Sequence, residues 1–554
     1  MSLLDPVLPD YDPMDWRRQP FDSRARLVCQ SWALHGYGTP LPVFLAYLVK
    51  IGLYVGAWML FCSMSPDLGG IGAIAEWWLE PLAFQKAIVW SMLFEALGLG
   101  CGSGPLTGRY APPVGGFLYF LRPRTIKRPL VPGLPVVGGS RRGFFDVALY
   151  AAFVALSLAA LLAPTIGIAH LVSILAVAAV LITADRTMFL VARGEHYLVT
   201  IAVFALASSQ TEWIAGAMAV QAALWFFAGV SKLNHHFPAV VCVMTSNSPV
   251  ARWPLLKKRM YRSYPDDLRP SGLATVLAHA GTALELAVPL TLFFAPAGSP
   301  MVLVGLAMML LLHGFITSNV PMGVPIEWNV MVVYGGFALF WNHQTISVLD
   351  TGPVIGALVL ACAVAVPIAG NLFPSQFSFL PSMRYYAGNW AMSIWLFRGD
   401  SYRKLYDHLT MTAPWIYDQL GRFYDRATAA ALVGKVMAFR LMHLHGRSLG
   451  ILVPRALPDG AELADYEWLD GELVAGMVLG WNFGDGHLHD ERMLATIQRE
   501  CDFASGELRC IFVESQPFFQ PRLHYRVVDA REGELESGHL DIGELRSRQP
   551  WETP

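Results

Sequence analysis

Apolar runs of about 20 residues recur along the chain, each long enough for an α-helix to cross a bilayer core about 30 Å thick. In order they cover 40–63, 84–106, 144–162 and 166–183, then a stretch from Met188 or His196 to Ser208. The remainder cover 213–234, 272–295, 300–318, 325–342 and 353–372. The predicted fold class is an α-helical polytopic membrane protein with about 10 transmembrane helices and a small C-terminal α+β cytoplasmic domain. Of the 554 residues, 54% are hydrophobic and 15% charged, whereas soluble domains carry about 25% charged residues. The formal net charge of -2 implies no nucleic-acid partner and leaves membrane lipids as the expected surroundings.

Charge and composition divide the chain further. Residues 1–39 are polar, with Asp5, Asp10, Asp12, Asp15, Arg17, Arg18, Arg24 and Arg26 and no apolar core of a signal peptide. They read as a cytoplasmic lead-in, with Trp16, Trp32 and Tyr37 at the membrane interface. Lys50, inside the first run, is expected to face the bundle or snorkel. Residues 40–373 form the expected transmembrane domain, whose second run ends in the glycine-rich stretch Gly98 to Gly104. Lys and Arg gather in the lead-in, in the 107–143 and 235–271 loops and in the tail, while the intervening connections have none. With ten spans this places both termini in the cytoplasm. The 112–121 part of the first basic loop is expected along the membrane surface. Residues 374–447 read as juxtamembrane helices at 383–397, 402–409 and 428–445, with Trp390, Trp395 and Trp415 against the membrane face. Residues 448–554 read as the small α+β domain, with a helix at 491–500 and a hairpin-like strand pair at 508–513 and 523–528.

Seven scattered cysteines, Cys101 among them, form no CxxC and suggest neither a disulfide framework nor a zinc ribbon. His487-x-His489-Asp490-Glu491 has donors for a metal, but the favoured reading is a solvated Gly-rich turn followed by an acidic helix start. No metal is expected. His235-His236 reads as a plain interface pair.

The chemistry concentrates at Trp225 to Asn234, Trp-Phe-Phe-Ala-Gly-Val-Ser-Lys-Leu-Asn, which closes the 213–234 run. Lys232 thus sits at or just inside a membrane face, where an ammonium is costly. Ala228 and Gly229 leave the preceding turn slim, open to close approach by a helix or ligand. Other ionisable residues in or beside the runs include Glu95, Asp185, Arg186, Glu195, His196, His279, Glu285, His313 and Glu327. Such residues commonly line a cavity and pair with one another. One set of pairs, Lys232–Glu285 and Asp185–Arg186, would merely hold helices in register.

Four stretches in order resemble a known family. Trp225 to Leu233 is similar to the Tyr-Phe-Ile-Ala-Gly-x-x-Lys-Leu stretch of the vitamin K-dependent γ-carboxylases and their bacterial relatives, the horizontally transferred transmembrane (HTTM) domains. Glu195-His196-Tyr197-Leu198 resembles the family's Asn-His-Ser-Tyr-Leu stretch. His279 to Pro289, with Glu285 inside it, resembles a histidine-led helix, and His313 with Thr317, Ser318 and Asn319 resembles a Phe-His-x-x-Asn helix end. The resemblance spans about 190–345 and implies a multi-pass protein of a bacterial plasma membrane. It implies Lys232 as catalytic base, with His196, His279, Glu285 and His313 around it, acting on a quinol-type lipid. No cofactor follows from the residues themselves. Two classes stay open: a membrane enzyme acting on a quinol-like or lipid substrate, and a non-catalytic transporter or scaffold that binds lipid in the same cavity.

Overall fold

The computed structural model describes residues 4–100, 104–111, 117–320, 325–481 and 483–554. Cys101, residues 101–103 of the glycine-rich stretch and residues 112–116 of the expected surface segment lie outside the described residues.

The chain is mostly helical, with a small sheet near the C-terminus. Helix α1 (Phe21–His35) precedes α2 (Leu41–Ser63), α3 (Pro81–Ala96), α4 (Phe144–Leu162), α5 (Ile168–Ala184) and α6 (Tyr197–Leu206). Then come α7 (Gln210–Ser231), α8 (Phe237–Asn247), α9 (Gly272–Phe294), α10 (Met301–Thr317), α11 (Ile326–Trp341) and α12 (Pro353–Leu372). Beyond them lie α13 (Arg426–Met442) and α14 (Glu491–Cys501).

Among the described residues, five helices are long and apolar enough to cross a membrane: α2, α4, α7, α9 and α12. A sixth counts only if α13 and His445–Ala456, bent by 99° at their junction, make one span. The expectation of about 10 spans is corrected accordingly. The other runs do form helices, but α6 is only 10 residues long, about 15 Å, and α5 and α10 stop at 17 residues. An apolar run reads the same whether its helix faces lipid or is surrounded by other helices. Burial separates the two cases here: the most apolar part of α7 is 83% buried, that of α2 only 6%. Helix α7 is therefore the centre of the bundle and α2 lies at its edge. Sequence sets where both central helices begin: Ser209 Oγ accepts from the Glu212 N–H at the start of α7, and Ser271 Oγ accepts from the Ala274 N–H at the start of α9.

The lead-in is part of the packed interior. Trp16, Trp32 and Tyr37 are buried in protein rather than held at a lipid interface. The indole of Trp32 donates to the Val243 carbonyl of α8, and α1 packs on α13.

The sheet is antiparallel throughout. Its strands are β1 (Met392–Arg398), β2 (Tyr466–Asp470), β3 (Leu508–Val513), β4 (Arg522–Asp529) and β5 (Gly533–Asp541), in the order β2-β1-β3-β4-β5. The 508–513 and 523–528 segments do pair, as β3 and β4, and α14 covers the expected 491–500 helix. The helix expected over 383–397 is absent: β1 replaces it, between β2 and β3. Every β1 residue but Arg398 is buried, so the strand has no polar alternation, and a short apolar run cannot be told from a helix by period. Trp390, Trp395 and Trp415 are likewise buried in protein, not laid on a membrane face.

The basic 107–143 loop holds the helices against this C-terminal part. Arg128 donates to the Leu488 carbonyl at 2.7 Å and pairs with Asp490 at 2.9 Å. Arg109 donates to the Gly480 carbonyl and Arg141 pairs with Glu500. The loop and the sheet therefore share one side of any membrane. In sealed vesicles, cysteines introduced singly at the exposed Leu130 and Leu535 will react with an impermeant maleimide from the same face. Labelling from opposite faces would break this arrangement.

Candidate functional site

The slim turn at the end of α7 does what its composition suggests. A Cβ on Gly229 would come within 2.7 Å of the Leu286 side chain, so the close approach of α9 leaves room for a larger residue at 229 only if Leu286 shifts. That approach sets Glu285 opposite Lys232, the residue that caps α7. Their side chains meet at 2.6 Å and are only 7% and 6% exposed. The Lys232 N–H bonds to the Gly229 carbonyl and tightens the last turn. The ammonium lies at the negative end of the helix dipole and 5.7 Å from the centre of the Phe237 ring.

Lys232 and Glu285 line a cavity of about 530 Å³ between α7, α8, α9, α10 and the C-terminal part. This size is within the range of about 300–1,000 Å³ typical of ligand sites. Its walls are mainly apolar, from Leu224 and Trp225 to Val240, Met244 and Leu284. Leu277 of α9 and Leu311 and Phe315 of α10 also line it, yet are 42%, 66% and 53% exposed. They form an apolar mouth on the exposed side of two helices.

Of the other residues singled out from sequence, His313 lines the same cavity. Its ring is fully engaged: the Trp225 indole donates to Nε2 at 2.9 Å, and Nδ1 lies 2.8 Å from Asn329 Oδ1. The Asn329 amide nitrogen donates to the Pro325 carbonyl, which turns Oδ1 toward the histidine. An indole N–H only donates, so His313 is neutral with its proton on Nδ1. His196 is buried behind the wall, its ring stacked on Tyr197 and 6.3 Å from Trp328, which does face the cavity. Its Nδ1 has no hydrogen-bond partner among the described residues. His279 is exposed on the outer face of α9 and apart from the cavity. Glu285 lies six positions further on, which turns the two about 120° apart around the helix.

Sequence reasoning missed one cation of the cavity wall, Arg193. Arg193 pairs with Glu195 at 3.0 Å and stacks over Trp328. Lys50 does face the bundle, pairing with Glu327 at 3.1 Å and bonding to the Gly100 carbonyl. The signal for Arg193 was its place two residues from Glu195 in an apolar setting. Asp185 does not pair with its neighbour Arg186. It pairs with Arg142, while Arg186 donates to the His487 carbonyl. His236 is no interface residue: it is fully buried, 2.9 Å from Gln516.

The His487–Asp490 stretch is buried rather than a solvated turn, although Asp490 does cap α14 as an acidic helix start should. Among the described residues no group of three His, Cys, Asp or Glu side chains is placed to hold a metal. His487 instead lies between Glu514, 3.1 Å away, and Asp485, at 3.5 Å. Burial disfavours its charge, but the two carboxylates outweigh that and push its pKa up to about 9. Burial takes His489 the other way, to about 4.

Fold and site together define a transmembrane protein whose buried ion pair faces an apolar cavity. The chain belongs to the family described as transmembrane protein of unknown function (DUF3556), which matches residues 1–554. No curated protein and no solved structure matches it.

Two outcomes follow from these charges. Lys232→Ala strands the Glu285 carboxylate in an apolar wall and will cost about 3–5 kcal/mol of stability, while the double replacement Lys232→Met with Glu285→Leu will recover most of that. Denaturant unfolding in detergent measures both, and equal losses for single and double variants would refute a buried charge pair. His487, raised from its ordinary value near 6.5, stabilises the fold fully below pH 6.5, and its contribution is lost as pH rises through about 9. In His487→Gln the fall in thermal stability between these pH values should flatten.

Proposed function

We propose that this protein binds a lipid-soluble molecule with a polar, oxygen-bearing head, taken up sideways from the bilayer. The observation that carries the reading is the Lys232–Glu285 pair set in the wall of an apolar cavity with an exposed, apolar mouth. The tail would displace water from the apolar walls, and the Lys232 ammonium would donate to a head-group oxygen. A quinol-type head is favoured by the resemblance of residues 190–345 to the γ-carboxylase and HTTM families.

The same resemblance supports a second reading, in which Lys232 deprotonates the bound quinol. That chemistry needs a neutral amine, and a carboxylate 2.6 Å away works against it. Binding is therefore the primary proposal. Base catalysis would require the ligand to separate Glu285 from Lys232.

Lipid extraction and mass spectrometry of the detergent-purified chain test the first reading. A lipid-soluble compound should co-purify with the wild type. It should fall about tenfold or more in Lys232→Ala, which loses a charged hydrogen-bond donor, and in Leu311→Trp, which narrows the mouth. Equal lipid content in all three would refute the proposal. Lys232→Arg separates the readings: it keeps the cation and hence binding, but guanidinium cannot act as a base. Undiminished turnover in that variant would end the catalytic reading and leave binding in place.

A further inference from the structure

A second cavity, of about 200 Å³, lies away from the first, where the lead-in meets α13 and β2. Four arginines line it, Arg17, Arg18, Arg24 and Arg426, against one carboxylate, Glu467. That carboxylate is already used: Arg17 pairs with one of its oxygens, and the Tyr417 hydroxyl donates to the other at 3.0 Å. Arg17 also lies over the Tyr417 ring. One carboxylate is thus shared among four guanidinium groups.

Each of the other three is hard to explain as a fold element alone. Arg24 is 2% exposed and spends Nε and one terminal nitrogen on the carbonyls of Gln19 and Arg17, neutral acceptors, and the Glu467 charge that acts on it is already paired with Arg17. Arg18 and Arg426 have no ion-pair partner among the described residues and reach the cavity from its exposed rim. Arg426 opens α13, and a helix gains nothing from a cation in its first turn. Gathering like charges around one hollow is unfavourable unless an anion joins them. The fork of a guanidinium matches the oxygens of a phosphate, two hydrogen bonds at a time.

We infer that this cavity binds a phosphate group, with Arg24 at its base and Arg18 and Arg426 closing over it from the rim. Inorganic phosphate or a phosphomonoester in solution and the headgroup of an anionic phospholipid present the same chemistry. The site is independent of the Lys232 cavity and of any ligand there.

The test uses the full chain in a phosphate-free maltoside detergent. Inorganic phosphate is titrated at constant ionic strength, with chloride as control. Thermal unfolding and tryptophan fluorescence are read, since Trp16 and Trp468 line the cavity. In a second arm the chain is placed in phosphatidylcholine nanodiscs with and without phosphatidic acid. A saturable stabilisation by phosphate, weakened about tenfold or more in Arg18→Ala/Arg426→Ala, supports the site and a soluble ligand. Both replaced residues are exposed, so the fold should survive. Stabilisation by phosphatidic acid alone, lost in the same variant, supports the site and assigns it to a lipid headgroup. The inference is overturned if neither ligand stabilises the wild type, or if chloride does as well as phosphate. It is equally overturned if Arg122→Ala/Arg124→Ala, an exposed basic pair elsewhere, loses the response to the same degree.

Discussion

The contact between Lys232 and Glu285 governs how the central helices of this protein can sit. Moving either charge out of water costs several kcal/mol, and neither could remain ionised in an apolar wall without the other. The pair forms because α9 passes close to α7, at a point where residue 229 has no side chain. Register, charge and close packing are therefore one condition. The neighbouring polar groups obey the same accounting. Trp225, His313 and Asn329 satisfy one another in a chain that ends on the Pro325 carbonyl, so the cavity keeps polar groups without leaving these unpaired.

The cavity is not a property of the helices alone. Tyr385, Trp390, Phe439, Glu472 and Phe483 form part of its wall and come from beyond the last candidate span before residue 374. They are held there by buried ionic contacts. Arg440 lies between Asp470 and Glu472, and Arg128 reaches Asp490. Removing one partner of such a contact leaves an uncompensated charge, so the sheet and the bundle are not free to drift apart. The basic loop that would orient the chain in a membrane is thus also the surface on which the C-terminal part docks.

This arrangement bears on chemistry as well as shape. A lysine acting as a base must be free of its acceptor, yet Lys232 is bonded to the Glu285 carboxylate and lies near the Phe237 ring. Those groups suit a hydrogen-bond donor held ready for an oxygen. A ligand would have to alter the pairing before proton abstraction became possible.

What the sequence determined by itself is local. The length and composition of the apolar runs establish helices and a membrane protein, and the order Ala228-Gly229 announces a close approach. Lys232, Glu285 and His313 stand out because ionisable groups are costly in such surroundings. Tertiary structure alone decided which apolar helices face lipid and which face protein, because apolar character is the same in both settings. It turned His279 outward and Glu285 inward on one helix, a matter of rotation against neighbours. It made a strand of 392–398, since an apolar segment buried on both sides has no period to betray it. It also gathered four arginines from positions 17 to 426 around one hollow, since charges so far apart in the chain meet only through long-range packing.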